Sequence, residues 1–166
     1  NNNNKTKAFV FDFDDTLATT EARVLVTKYG SFSQALTPSE FNEYKLADGE
    51  EFQFSEFTNP EFIIDGKPLG LIELAKDIHA EGHNLYILTA RNEIASSAIA
   101  GFLARFNITA KMIHCVGKES TTNIAKAKQT VLMTIIDNHD ITYFYDDDEA
   151  NIELASSLDC RAELVS

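Results

Sequence analysis

The chain has 166 residues, 44% hydrophobic and 24% charged, with a formal net charge of −12. That length suits one globular domain with a core of its own, and no apolar stretch reaches the roughly 20 residues of a membrane helix. So acidic a surface repels polyanions, which bind through Lys and Arg. Long nucleic acid is therefore disfavoured as a partner, and no membrane partner is expected.

The opening NNNNKTK is polar and of low complexity, so residues 1–6 are expected to be a disordered leader, without the apolar core of a signal peptide. Ala8–Phe11 (AFVF) is apolar without alternation, as expected of a strand covered on both faces. Residues 19–67 break the rhythm. Ala22–Thr27 suggests a short strand, Thr37 and Pro38 open a short helix, and Phe52, Phe54 and Phe57 follow among acids. A structureless loop this long would be anomalous, so the segment reads as a small insertion packed over the sheet's end within a single domain.

From Leu69 onward, strand and helix alternate. Leu71, Leu74, Ala75 and Ile78 share a helix face ahead of Gly82, a stop signal. Leu85–Thr89 is the next strand, and Asn92 caps a helix lined by Ala95, Ile99, Phe102 and Phe106. Then come a strand over Ala110–Val116, a helix marked by Ile124, Val131 and Ile135, and a strand over Ile141–Tyr145. A last helix carries Ile152, Ala155 and Leu158, and AELV at 162–165 is a fifth short strand. The order predicts an α/β, Rossmann-like three-layer sandwich with a mostly parallel sheet and right-handed crossovers. Cys115 and Cys160 fit no metal or redox spacing and read as reduced structural thiols of a cytoplasmic protein.

Three strand ends carry polar chemistry. The first has Asp12, Asp14, Asp15 and Thr16; the second has Thr89 and Arg91; the fourth has Asp146, Asp147, Asp148 and Asn151. Ligands of open parallel sheets bind beyond the carboxyl ends of the strands. Carboxylates from two such ends make a hard-oxygen site suited to Mg²⁺, which would relieve the repulsion among them.

These motifs resemble those of the haloacid dehalogenase-like phosphohydrolases. DFDDT (12–16) matches their DxDx(T/V) motif, Thr89 in LYILTAR matches the Thr or Ser that ends a later strand, and Asp146 and Asp147 match the acidic pair. The resemblance implies that Asp12 is the nucleophile, forming an aspartyl-phosphate, and that Asp14 is the general acid and then base, its backbone carbonyl on the metal. It also implies that Thr89 binds phosphoryl oxygens, with Arg91 as a further substrate-binding candidate, and that Asp147 ligates Mg²⁺ with Asp146 as orienter or alternative ligand. Asp15 and Asp148 are expected to be helix-start or solvated acids. Residues 19–67 lie where this family commonly inserts a cap.

The family's third motif is a lone Lys, for which Lys118, Lys126 and Lys128 are candidates. At about 100° per residue, Lys128 falls in the apolar stripe of its helix and Lys126 points nearly opposite, which favours Lys128 as the catalytic and substrate-binding lysine, with the acidic strand ends and the substrate phosphate as its partners. A receiver-type phosphoacceptor domain is disfavoured, because here the acids open and close the core and the Lys precedes the final pair. The resemblance implies a Mg²⁺-dependent phosphomonoesterase acting on a small phosphorylated metabolite or nucleotide. The alternatives are a 3′-phosphatase acting on nucleic-acid ends and a non-catalytic binding protein of the same fold.

Overall fold

A computed structural model describes residues 6–117 and 123–165. Strand β1 (Lys7–Phe11) runs into a tight turn, and β2 (Ala18–Thr19) then opens the inserted segment. Within it lie β3 (Val24–Lys28), β4 (Ser31–Leu36), α1 (Pro38–Glu43), β5 (Glu50–Gln53), α2 (Ser55–Thr58) and α3 (Pro60–Ile64). Strand β6 (Lys67–Pro68) closes it by pairing antiparallel with β2. The rest alternates: α4 (Leu71–Ala80), β7 (Asn84–Thr89), α5 (Ser96–Ala104), β8 (Met112–Cys115), α6 (Ile124–Asp137), β9 (Ile141–Asp146), α7 (Glu149–Ala155) and β10 (Arg161–Leu164).

The main sheet has the order β10-β9-β1-β7-β8, and every pairing in it is parallel. Its alternating side chains explain why the strand sequences do not alternate in polarity. Phe9, Phe11, Leu85 and Ile87 face Ile72 and Ala75 of α4 and Ile99 and Phe102 of α5. Ala8, Val10, Tyr86, Leu88 and Phe144 face Leu132 and Ile135 of α6 and Ala155 of α7. Both faces are dry, so both parities must be apolar, and each fully buried large side chain contributes about 1.5–3 kcal/mol. After β1 the chain builds outward through β7 and β8, then crosses to β9 on the other side. The strand order therefore reverses beside the carboxyl end of β1, where α/β sheets hold ligands.

The insertion forms its own antiparallel sheet, β4-β3-β5, over a small core of Val24, Val26 and Leu36 with Phe41, Tyr44, Phe52 and Phe57 packed against it. Tyr29 (φ 49°) and Gly30 (φ 84°) make the two-residue turn between β3 and β4, and such a turn needs positive φ at both positions. Thr37 caps α1 in a full capping box with Glu40. The sequence suggested one strand and one helix here, whereas the structure adds β4 and β5. Five of the six β4 residues are exposed, so no burial pattern marked that strand.

Four local expectations change. Helix α5 spans Ser96–Ala104, so Ala95 precedes it and Phe106 packs on the core from beyond its end. In α4 the buried face is Ile72, Ala75 and Ile78, while Leu74 is 36% exposed at the rim. The last helix ends at Ala155, before Leu158. Residues 1–5 of the expected leader lie outside the described residues, but Thr6 donates its backbone N–H to Asp140 Oδ2 at 2.9 Å.

Candidate active site

Two strand ends and one helix build the site. Asp12 follows β1 directly, and its N–H donates to the Tyr145 carbonyl of β9 at 2.9 Å. The chain then coils once: the N–H groups of Thr16, Leu17 and Ala18 all donate to the Phe13 carbonyl. This turn buries Phe13 edge-on against Phe102 and keeps Asp12 and Asp14 on the site side. Asp15 takes a left-handed φ of 61° and points to solvent, an orientation a short polar side chain tolerates.

Lys128 lies on the buried stripe of α6, as its helical position predicts, and is only 2% exposed. Its ammonium donates to Asp12 Oδ1 at 3.0 Å and to Asp146 Oδ2 at 2.7 Å. Asp146 is fully buried and also accepts from Asn151 Nδ2 at 3.0 Å and from the Asp148 N–H at 2.9 Å. The Thr16 hydroxyl lies 3.3 Å from Asp12 Oδ2 and 3.4 Å from Asp147 Oδ1, between the two strand ends. Burial pushes the Asp12 carboxyl well up, and repulsion from Asp146 adds to this against the pull of Lys128. Burial also raises Asp146. For Lys128 burial opposes the charge, but Asp12 and Asp146 outweigh it and hold its pKa above the ordinary value.

Asp12, Asp146 and Asp147 each present an oxygen within 4.8 Å of the others. With all three acids ionised, three carboxylates against one ammonium would leave two negative charges in this largely buried cluster, which one divalent cation balances. The all-oxygen donor set suits Mg²⁺.

At the end of β7, Thr89 is fully buried, and its Oγ1 accepts the Arg91 N–H at 3.1 Å. The Arg91 side chain does not stand free for a ligand. It makes a bidentate pair with Asp14, Nε to Oδ2 at 2.8 Å and Nη2 to Oδ1 at 2.7 Å. Gly117 closes this corner: its N–H donates to the Arg91 carbonyl, and a Cβ there would overlap the Ala90 backbone. Beside Asp14 a cleft of about 450 Å³ runs under the insertion, lined in part by Thr20, Arg23, Thr37 and Phe57.

Asp12, Asp14, Asp146, Asp147 and Lys128 thus meet at one sheet edge, with Thr89 and Arg91 on the neighbouring strand. Lys126 is exposed on α6, and Lys118 lies outside the described residues. Asp148 caps α7 by accepting the Ala150 N–H, as expected of a helix-start acid. The pairing of Arg91 with Asp14 and the bridging place of Thr16 were not read from sequence. Each joins distant segments, and only the Asn151 contact carried a local signal, five residues after Asp146.

No family model matches the sequence, and no curated protein matches it. Solved structures do match. A chain of the Pnkp1/Rnl/Hen1 RNA repair complex aligns with a TM-score of 0.63 and 13% identity, covering 97% of this chain and 42% of that one. A haloacid dehalogenase-like family hydrolase from Streptococcus pneumoniae gives 0.57 and 15%, covering 97% and 85%. A haloacid dehalogenase-superfamily hydrolase from Ehrlichia chaffeensis gives 0.52 and 16%, covering 95% and 86%. The chain spans less than half the length of the RNA repair chains it matches. The protein has the haloacid dehalogenase-like fold, an α/β Rossmann-like core with an all-parallel five-stranded sheet.

Proposed function

We propose that the protein is a Mg²⁺-dependent phosphomonoesterase that works through an aspartyl-phosphate on Asp12. The observation that carries this is the Asp12–Lys128–Asp146 cluster at the β1 end, with Asp14 two residues on at the mouth of a cleft. Lys128 holds the Asp12 carboxyl group in one orientation and favours its ionised form, opposing the burial that pushes it up. Thr89 is assigned to the phosphoryl oxygens and Asp14 to proton transfer, first to the leaving oxygen and then from the attacking water. Asp12, Asp146 and Asp147 are the residues that would hold Mg²⁺, which when bound neutralises charge on the transferring phosphoryl group.

A small phosphorylated metabolite or nucleotide is the favoured substrate. The cleft beside Asp14 admits a leaving group of modest size, and the charge of −12 discourages long polyanions. The likeness to a chain of an RNA repair complex supports a second reading, a 3′-phosphatase acting on nucleic-acid ends. One screen separates them: phosphate release with Mg²⁺ from sugar phosphates, mononucleotides and 3′-phosphorylated oligonucleotides. Asp12→Asn should abolish release from the best substrate while the fold persists. Retention of more than about a hundredth of wild-type turnover would defeat the covalent mechanism.

A further inference from the structure

Arg91 stands where the insertion, the end of β7 and the turn after β1 meet. Two guanidinium nitrogens hold both oxygens of Asp14, and the third, Nη1, donates to the Phe57 carbonyl of α2 at 2.9 Å. The guanidinium carbon lies 5.1 Å from the Phe57 ring centre and 5.8 Å from that of Phe13. Arg91 is 6% exposed and Asp14 37%, so the acid faces the solvent and the arginine backs it. A substrate entering the cleft meets Asp14 before Arg91.

Both Asp14 oxygens accept hydrogen bonds from Arg91, which fixes the plane and direction of the carboxyl group. Arg91 uses two of the roughly four lone-pair sites of a carboxylate, leaving others for water on the exposed side. The geometry is that of an oriented acceptor on the side from which substrate and water arrive. We propose that Arg91 is a positioning residue that holds Asp14 as the base for the second half-reaction, and that Phe57 ties this arrangement to the seating of the insertion.

This rests on the phosphohydrolase reading above. In the first half-reaction a bond forms between an Asp12 oxygen and phosphorus while the ester P–O bond breaks; an aryl leaving group departs as phenolate and takes no proton. In the second, water oxygen bonds to phosphorus, the Asp12–phosphorus bond breaks, and the water proton passes to Asp14. Loss of Arg91 therefore leaves the first half-reaction with an aryl ester nearly intact and slows the second. A direct phosphate ligand would slow both.

The test is rapid-mix kinetics with a nitrophenyl phosphate and Mg²⁺, with acid-quench trapping of phosphoprotein. Arg91→Met and Arg91→Lys should lower steady-state turnover about a hundredfold, the lower range for a lost general base. The first-turnover burst should stay within about threefold of wild type, and phosphoprotein should approach one per chain. Phe57→Ala should give a weaker form of the same accumulation. Asp14→Asn should share the signature, and the Asp14→Asn/Arg91→Met double variant should be no slower than Asp14→Asn alone. Asp14→Asn keeps the comparison open should an Arg91 variant fail to fold. A burst that falls in parallel with turnover, with no accumulated phosphoprotein, overturns the proposal, as does a multiplicative double variant. A wild type that traps no phosphoprotein, with Asp12→Asn as active as wild type, defeats the phosphohydrolase reading and the proposal together.

Discussion

Replacing Lys128 with Met keeps most of the side-chain volume and removes one buried charge. The ammonium is 2% exposed, and its partners Asp12 and Asp146 are 8% and 0% exposed, so solvent screening does little for the carboxylates left behind. Breaking a buried ion pair by deleting one partner costs about 3–5 kcal/mol. For a chain of this size each kcal/mol lowers the melting temperature by about 2–4 °C, so a fall of about 6–20 °C is expected. The measurement is thermal unfolding with and without Mg²⁺. The variant should recover more stability from the cation than wild type does, because three carboxylates then lack an internal counter-charge. Adding Asp146→Asn should recover at least half of the loss, since it removes one of the two carboxylates that Lys128 pairs with. A loss below about 1 kcal/mol, or strict additivity of the two substitutions, would refute the view that this cluster is held together by charge.

Four further outcomes are expected. Asp147→Ala should weaken Mg²⁺ dependence and the Mg²⁺-induced rise in melting temperature far more than Asp148→Ala, because Asp147 faces Asp12 while Asp148 caps α7; equal effects would count against the proposed ligand set. Phe41→Ala should lower stability by about 2 kcal/mol and affect all substrates alike, because this ring packs on Phe52 and Phe54 inside the insertion. Phe57→Ala should slow an aryl ester modestly through the shared second half-reaction and lower kcat/KM for the best natural substrate further, because Phe57 also lines the cleft; identical losses for both rings would make the insertion a packing element only. Burial, with Glu93 adding, pushes the Cys115 thiol up to about 11, so its alkylation near pH 8 should run about a hundredfold slower than in the unfolded chain and climb with pH toward 11; comparable rates would contradict that environment.

Local pattern alone determined the strands of the core and the buried lysine. Ala8–Phe11, Leu85–Thr89 and Ile141–Tyr145 are legible because a parallel sheet covered on both faces requires apolar residues at both parities. Lys128 is legible because helical periodicity sets its face whatever that face meets. The exposed strand β4 carried no such pattern; pairing with β3 across the Tyr29–Gly30 turn makes it a strand, and pairing on the other side of β3 does the same for β5. The charge pairing was open for the same reason. With 26 acidic and 14 basic side chains, nothing local says that Arg91 takes Asp14, 77 positions away, or that Lys128 reaches Asp12 across 116. Composition and periodicity decide which side chains are buried and on which face. The identity of the partner across a buried charge comes only from the crossing of the strands, which brings the ends of β1, β7 and β9 to one edge.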